Sequence, residues 1–373
     1  MMDAGMRKIY MFNPEHDLAL ANGTPLYTPT PTAKQMRRDL EMLPVWYAEK
    51  GSLILVQEKE LCAEWLEQWN RRTGKNIGLI TKKDLRGADD VRFEPWGWNA
   101  ALRRELVKAG VAESCLPSEE RLAAYREMSH RRISIDIHRK VKEQGLKEVC
   151  AEEPCELDSV DRVLQYARVH PGCYLKMPYS GSGRGIYHVI DKSNRALEQW
   201  CAGALRSQGS LLCEAGYAKV RDFAAEFYCT GGKSRFLGYS VFETDFHSQF
   251  RYGILASQML LKRLLMIQGV NVERVVQAVQ GAVDELITPH YEGYVGVDMM
   301  LYEDEDGEVK VNPCVEVNLR TTMGVVTCGV AKLKKMGGTR VGEFYLSQMP
   351  YLDDIKKALV PVHDKTRYVA VMR

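Results

Sequence analysis

One stretch limits this chain more than any other: Tyr174-Leu-Lys-Met-Pro-Tyr-Ser-Gly-Ser-Gly-Arg-Gly-Ile-Tyr-His-Val189. Its two ends carry the branched and aromatic residues that strands favour, while Gly181, Gly183 and Gly185 leave bare backbone N–H groups in the loop between them. The segment reads as strand, loop, strand, with Lys176 on the first strand. A Rossmann turn or a P-loop would lead into a helix whose N-terminus takes the phosphate, and neither GxGxxG nor GxxxxGK[ST] spacing occurs here. A protein-kinase loop is also strand, loop, strand, but its lysine lies on a later strand and no HRD or DFG follows downstream. Two readings stay open: a loop that holds polyphosphate, and a surface hairpin punctuated by glycine.

With 373 residues, 45% of them hydrophobic, the chain can bury sizeable cores and divide into two or three domains. A formal charge of +2 produces no field that would select nucleic acid or an anionic membrane as partner. The ten cysteines fall without CxxC pairs or Cys/His clusters, and no long apolar region follows the first charges, so neither zinc nor secretion is expected and a reducing cytoplasm is the default. No run approaches the roughly 20 apolar residues of a membrane helix.

Lys8–Phe12, Ser52–Val56 and Ile77–Ile80 read as strands alternating with helices over Leu61–Trp69 and Ala100–Lys108, which predicts a parallel α/β layer over residues 1–117. Ser118–Gly145 is helical in period and basic. A mixed lobe follows over about 155–216, with a helix over Asp158–Val169, the glycine segment, a helix over Ala196–Leu205 and a strand over Leu211–Glu214. From 217 to 373 strands are expected at Phe223–Cys229, Phe236–Phe242 and Gly253–Ala256, then a helix at Val272–Ile287. Tyr294–Leu301 and Val309–Val317 read as an antiparallel pair around the acidic turn Glu303-Asp-Glu-Asp-Gly, which lacks EF-hand spacing and reads as a hairpin tip.

The acids inside that pair are more telling. Asp298 stands among apolar residues in Gly296-Val-Asp-Met-Met-Leu, and Glu316 and Asn318 lie two apart, so on one face of a strand. A carboxylate among apolar neighbours needs a cation, either a hard metal with oxygen ligands or a basic side chain such as Arg320 or Lys310. Asn13-Pro-Glu-His16-Asp17 follows the first strand, where open α/β sheets present ligand-binding groups, although a local turn and cap would use the same residues. Trp96-Gly-Trp98 reads as packing at a domain edge or as a stacking surface.

Lys176, the glycine loop, Glu214, Asp298 and the Glu316-x-Asn318-x-Arg320 series occur in the order of the ATP-grasp superfamily, which the chain resembles from about residue 118 to about 330. The resemblance, to carboxylate-amine ligases such as D-alanine ligases and biotin carboxylases, implies two α+β lobes over 118–373 preceded by an N-terminal parallel α/β domain. It implies that Lys176 contacts nucleotide phosphates and that Ser180, Gly181, Ser182, Gly183, Arg184 and Gly185 close over them. Glu214, Ala215, Gly216 and Tyr217 match the hinge whose backbone reads adenine, and Asp222 the ribose acid, one residue later than in the family pattern. Arg131 stands where the family carries a lysine, with Arg132 as the other candidate; arginine binds phosphate through a fork that lysine lacks. Asp298, Glu316 and Asn318 match ligands of Mg2+, for which Mn2+ could substitute, and Arg320 matches an arginine facing the transferred phosphoryl. The implied activity is ATP-dependent activation of a small-molecule carboxylate as an acylphosphate, which an amine or similar nucleophile then attacks. A small-molecule kinase or a non-catalytic nucleotide-binding regulator on the same fold are the alternatives.

Overall fold

The computed structural model describes residues 6–181, 183–190, 195–245, 248–348 and 350–373; Ser182, one of the residues of the expected phosphate loop, lies outside them. In chain order the elements are β1 (Arg7–Met11), α1 (His16–Asn22), α2 (Pro31–Asp39), β2 (Leu53–Leu55), α3 (Lys59–Thr73), β3 (Gly78–Ile80), β4 (Val91–Pro95), α4 (Ala100–Lys108), α5 (Glu119–Met128) and α6 (Arg132–Lys142). Next come β5 (Cys155–Leu157), α7 (Val160–Val169), β6 (Tyr174–Lys176), β7 (Ile186–His188), α8 (Arg195–Gln208), β8 (Leu211–Glu214), β9 (Ala218–Thr230) and β10 (Lys233–Thr244). The chain continues through β11 (Phe250–Leu255), α9 (Gln258–Leu265), α10 (Val272–Leu286), β12 (Gly293–Glu303) and β13 (Val309–Asn318). It ends with α11 (Met323–Leu333), β14 (Gly342–Gln348), α12 (Leu352–Lys356) and β15 (Tyr368–Met372). Among the described residues no helix is long and apolar enough to cross a membrane.

The architecture is mixed α/β, and its contacts group into two compact units. Unit 1 holds the residues up to Arg126, Tyr252–Ser257 and Arg320–Arg373; unit 2 holds Glu127–Arg251 and Gln258–Leu319. The last segment of the chain, Arg320–Arg373, groups with the first. Two contacts within unit 1 explain this: the Trp46 indole N–H donates to the Leu359 carbonyl at 2.7 Å, and Gly329 lies so close to the Trp46 carbonyl that a Cβ there would stand 2.4 Å from its oxygen.

Unit 1 contains a parallel sheet of order β3-β2-β1-β4, with Ile9 opposite both Leu53 and Phe93. Its branched and aromatic side chains, Ile9, Met11, Leu53, Leu55 and Phe93, pack with Leu102 and Leu106 of α4 into one apolar cluster. The chain steps from β1 outward to β2 and β3, then crosses back to place β4 on the other side of β1. The crevice beyond the carboxyl ends of β1 and β4 is therefore the topological switch point, where open α/β sheets present ligand-binding groups.

Beyond β2 a cavity of about 280 Å3 is lined in part by Arg38, Glu41, Gln57, Cys62 and His363. Glu41 is buried there, accepting the Gln57 backbone N–H at 2.9 Å, and burial pushes its carboxyl from 4.5 up to about 7. A raised folded-state pKa means that the native protein keeps a proton the unfolded chain releases, so stability is lost as pH rises from 4.5 toward 7. The loss is about 3 kcal/mol. Denaturant melts at about pH 4 and about pH 8 should differ by that amount, and Glu41→Gln should flatten the difference; a pH-independent wild type would show the carboxyl to be unperturbed.

Unit 2 contains a small antiparallel sheet of order β5-β8-β6-β7 and the neighbouring long strands β13, β12, β9 and β10. Leu157, Val163, Leu175, Val189, Leu197 and Leu211 fill the core between the small sheet and α7 and α8. The helical stretch expected over Ser118–Gly145 is two helices. The break at Ser129–Arg131 has a tertiary cause: the Arg131 N–H bonds the Pro178 carbonyl at 3.1 Å, and the Arg132 N–H bonds the His130 ring at 3.1 Å.

Candidate active site

Lys176 ends β6, and its strand pairs with β7 in register from Tyr174↔His188 to Lys176↔Ile186, so the glycine segment is a hairpin within a sheet. The loop turns because Gly183 and Gly185 adopt φ of +72° and +65°, backbone that side chains rarely enter. The Met177 N–H closes the loop on the Gly185 carbonyl at 2.8 Å. Lys176 is buried, and its ammonium donates to Glu214 Oε2 at 2.6 Å and to the Val315 carbonyl at 3.1 Å. Glu214 ends β8 directly beside β6, and its other oxygen, Oε1, is buried without a hydrogen-bond partner among the described residues.

Arg131 comes to the same hairpin from the break between α5 and α6. Its guanidinium, 4% exposed, donates from Nε to the Met177 carbonyl and from Nη2 to the carbonyl and hydroxyl of Ser180, at 3.0, 3.1 and 3.0 Å. Nη2 also lies 3.0 Å from Glu316 Oε1. The remaining nitrogen, Nη1, is buried without a hydrogen-bond partner among the described residues. Arg132 turns to Glu127 at 2.6 Å with about half of its side chain exposed, so of the two arginines only Arg131 reaches the loop.

On β12 and β13, Asp298 stands opposite Glu316 and Gly296 opposite Asn318. Opposed residues and residues two apart share a face of an antiparallel pair, so Asp298, Glu316 and Asn318 present two carboxylates and an amide together. The Asn318 amide N–H donates to Asp298 Oδ2 at 3.1 Å, which leaves the amide oxygen as an acceptor. An all-oxygen donor set of this kind fits Mg2+. Lys310 lies 3.7 Å from Asp304, Arg320 pairs with Asp17, and Arg131 lies against Glu316.

The hinge follows β8. A Cβ at Gly216 would stand 2.1 Å from the Gly172 carbonyl oxygen, which is why glycine occupies that position. Ala215 lies between Glu214 and this glycine. Tyr217 accepts the Glu152 backbone N–H at its hydroxyl, 2.7 Å, and its ring lies 4.4 Å from that of Tyr302. Asp222 on β9 accepts from Lys219 at 2.7 Å and from the Thr244 hydroxyl at 2.9 Å, so a hydrogen-bond network already surrounds the carboxylate matched to the ribose acid. Gly181 and Arg184 lie within the loop, where the Arg184 N–H bonds the Gly181 carbonyl at 3.2 Å.

Within unit 1, the switch point holds the segment that sequence reading left between a local cap and a ligand site. Asn13 is no local cap: its amide donates to the Gly97 carbonyl at 2.9 Å, linking the end of β1 to that of β4. The His16 ring fills the space where a Cβ on Gly97 would stand 2.5 Å away, and its Nδ1 is 3.3 Å from the Asn99 amide. Burial pushes the imidazole down to about 4, so it is neutral at neutral pH. Asp17 Oδ1 accepts from Arg320 Nε at 2.9 Å, a contact 303 residues apart in the chain that no sequence periodicity could reveal. Trp96 is buried with its ring edge-on to Phe12 at 5.0 Å, so it serves packing.

No family model matches the chain, and no curated protein matches it. By structure it is similar to the biotin carboxylase domain of Hydrogenobacter thermophilus 2-oxoglutarate carboxylase in complex with MgADP, ADP and bicarbonate, with a TM-score of 0.51 and 13% identity over 100% of this chain and 87% of that one. It is similar to Campylobacter jejuni biotin carboxylase bound to an ATP analogue, at TM-score 0.50 and 11% identity over 92% and 76%. It is also similar to Staphylococcus aureus N5-carboxyaminoimidazole synthetase complexed with ADP, at 0.50 and 10% over 98% and 93%. At these identities the likeness speaks to fold, and the matched order of a lysine strand, a glycine hairpin and an acidic antiparallel pair speaks to the same one. The chain has the fold of the ATP-grasp superfamily.

Proposed function

We propose that this protein is an ATP-dependent ligase that activates a small-molecule carboxylate as an acylphosphate and joins it to an amine or similar nucleophile. The observation that carries the reading is the shared face of Asp298, Glu316 and Asn318, with the buried cation of Arg131 already drawn to Glu316. Solved structures similar to this one include biotin carboxylases and an N5-carboxyaminoimidazole synthetase with adenine nucleotides bound, which supports ATP as the co-substrate.

Each residue then has a task. Asp298, Glu316 and Asn318 would hold Mg2+, which when bound neutralises phosphate charge. Lys176 and Arg131 bind phosphate oxygens, the buried Nη1 of Arg131 among the donors. Ser180, Gly181, Gly183, Arg184 and Gly185 supply backbone N–H groups over the phosphates. The backbone of Glu214, Ala215, Gly216 and Tyr217 reads the adenine edge, and Asp222 accepts from the ribose. Arg320, two residues after Asn318 in the chain, takes the charge that develops on the transferring phosphoryl, and Asp17 orients its guanidinium. No protein nucleophile takes part, because the substrate carboxylate attacks the γ-phosphorus and ADP leaves.

Hydroxylamine tests the reading, since it traps acylphosphates as hydroxamates. Incubating the protein with Mg-ATP, hydroxylamine and a panel of carboxylic acids should yield ADP and hydroxamate in equal amounts for at least one acid. ADP formed with a hydroxyl compound and no hydroxamate would make the protein a kinase, and nucleotide binding with no turnover on any panel would make it a regulator.

A further inference from the structure

The small sheet of unit 2 carries chemistry that nucleotide binding does not use. Cys173, Cys201 and Cys213 are buried in its apolar core and Cys155 packs against that core. Two of the four face each other directly: β5 runs antiparallel to β8 with Cys155 opposite Cys213. Opposed residues of an antiparallel pair point to the same face with Cα atoms about 4.5–5.5 Å apart, inside the roughly 4.4–6.8 Å that a disulfide spans. Both are free thiols. Facing each other, they shift one another in opposite directions, the Cys155 thiol downward and the Cys213 thiol, which burial also raises, upward, so Cys155 is the more readily ionised of the two. Their settings differ as well: β5 is the last strand of its sheet and Cys155 is only partly buried, whereas Cys213 is 0% exposed.

We propose that Cys155 and Cys213 form a reversible thiol-oxidation site, Cys155 reacting with a hydroperoxide and Cys213 closing the disulfide. In the first step the Cys155 thiolate attacks the peroxide; an S–O bond forms, the O–O bond breaks, and hydroxide leaves and is protonated to water. In the second, Cys213 gives up its proton and its sulfur attacks the sulfenic sulfur; an S–S bond forms, the S–O bond breaks, and a second water leaves. With hydrogen peroxide the two thiols lose two electrons in all and the peroxide gains them.

The location gives the modification a consequence, which rests on the nucleotide reading. Cys213 directly precedes Glu214, whose carboxylate holds Lys176, and on its other side Cys213 pairs with Leu175, the residue before Lys176. A crosslink here fixes the β8 backbone one residue from that ion pair, and the oxidised protein binds ADP more weakly.

Peptide mapping under non-reducing conditions, after treatment of the full chain with stoichiometric hydrogen peroxide, tests the site. The expected product has lost two hydrogens and contains a peptide crosslinked between Cys155 and Cys213, reversed by dithiothreitol and absent from Cys155→Ser, which should melt like the wild type. A bridge from Cys155 to Cys173, stable sulfinic acid at Cys155, or an unreacted Cys155 would overturn the assignment. Calorimetric titration with ADP tests the consequence: affinity should fall about tenfold on oxidation, or about 1.4 kcal/mol, and return on reduction. Equal affinities would overturn the coupling. If the reduced protein bound no ADP at all, the nucleotide reading would fail, and the peptide map would still decide the thiol pair.

Discussion

Glu316→Gln should lower ADP formation from Mg-ATP by about a thousandfold while leaving the protein folded. The substitution keeps the shape and removes one of two carboxylates on the proposed metal face, so affinity for Mg2+ falls where the phosphoryl group needs it most. Stability should change little, because the Glu316 side chain is 22% exposed and a glutamine oxygen still accepts from Arg131. Arg131 also retains its bonds to Met177 and Ser180. The cost should be about 1 kcal/mol or less, as for partly solvated ion pairs. Turnover measured against Mg2+ concentration decides the matter: undiminished ADP release would remove Glu316 from the metal site. Asp304→Asn in the neighbouring acidic turn is the control and should behave as wild type.

Lys176→Met separates binding from structure. Lys176 and Glu214 are 5% and 7% exposed at the side chain and 2.6 Å apart, so removing the lysine leaves a buried carboxylate without its cation. Breaking a buried pair in this way costs about 3–5 kcal/mol, far more than the pair contributes when intact. The melt should drop by that amount and ADP affinity should fall together with it. Adding Glu214→Gln removes the stranded charge, so the double variant should regain most of the stability and none of the affinity. A Lys176→Met protein as stable as wild type would mean that Glu214 finds another partner, and unchanged ADP affinity would exclude the lysine from phosphate binding.

Much of unit 2 was legible because its signals are local. The two-residue spacing of Glu316 and Asn318 places both on one face of β13 whatever packs against them, and the observed register, which no periodicity supplies, sets Asp298 of β12 opposite Glu316. Glycines at alternate positions between two short strands leave few conformations other than the hairpin that forms. The placement of Arg131 was only partly legible. A helical pattern ran through it, and the break that aims it inward comes from a bond between its N–H and the Pro178 carbonyl, a contact made across the fold. Helix propensity is a weak prior against such a bond.

By itself the sequence determined several helices and strands, the strand-loop-strand course of the glycine segment and the antiparallel pair that carries Asp298, Glu316 and Asn318, because side-chain periodicity and backbone freedom act over a few residues. Only the tertiary structure decided which charges meet. Glu316 pairs with Arg131, Lys176 with Glu214, and Arg320 with Asp17 303 residues away, while the final segment folds back against the first around Trp46. Those partnerships follow from chain crossings and from the need of each buried charge for a counter-charge, and neither leaves a repeat in the sequence.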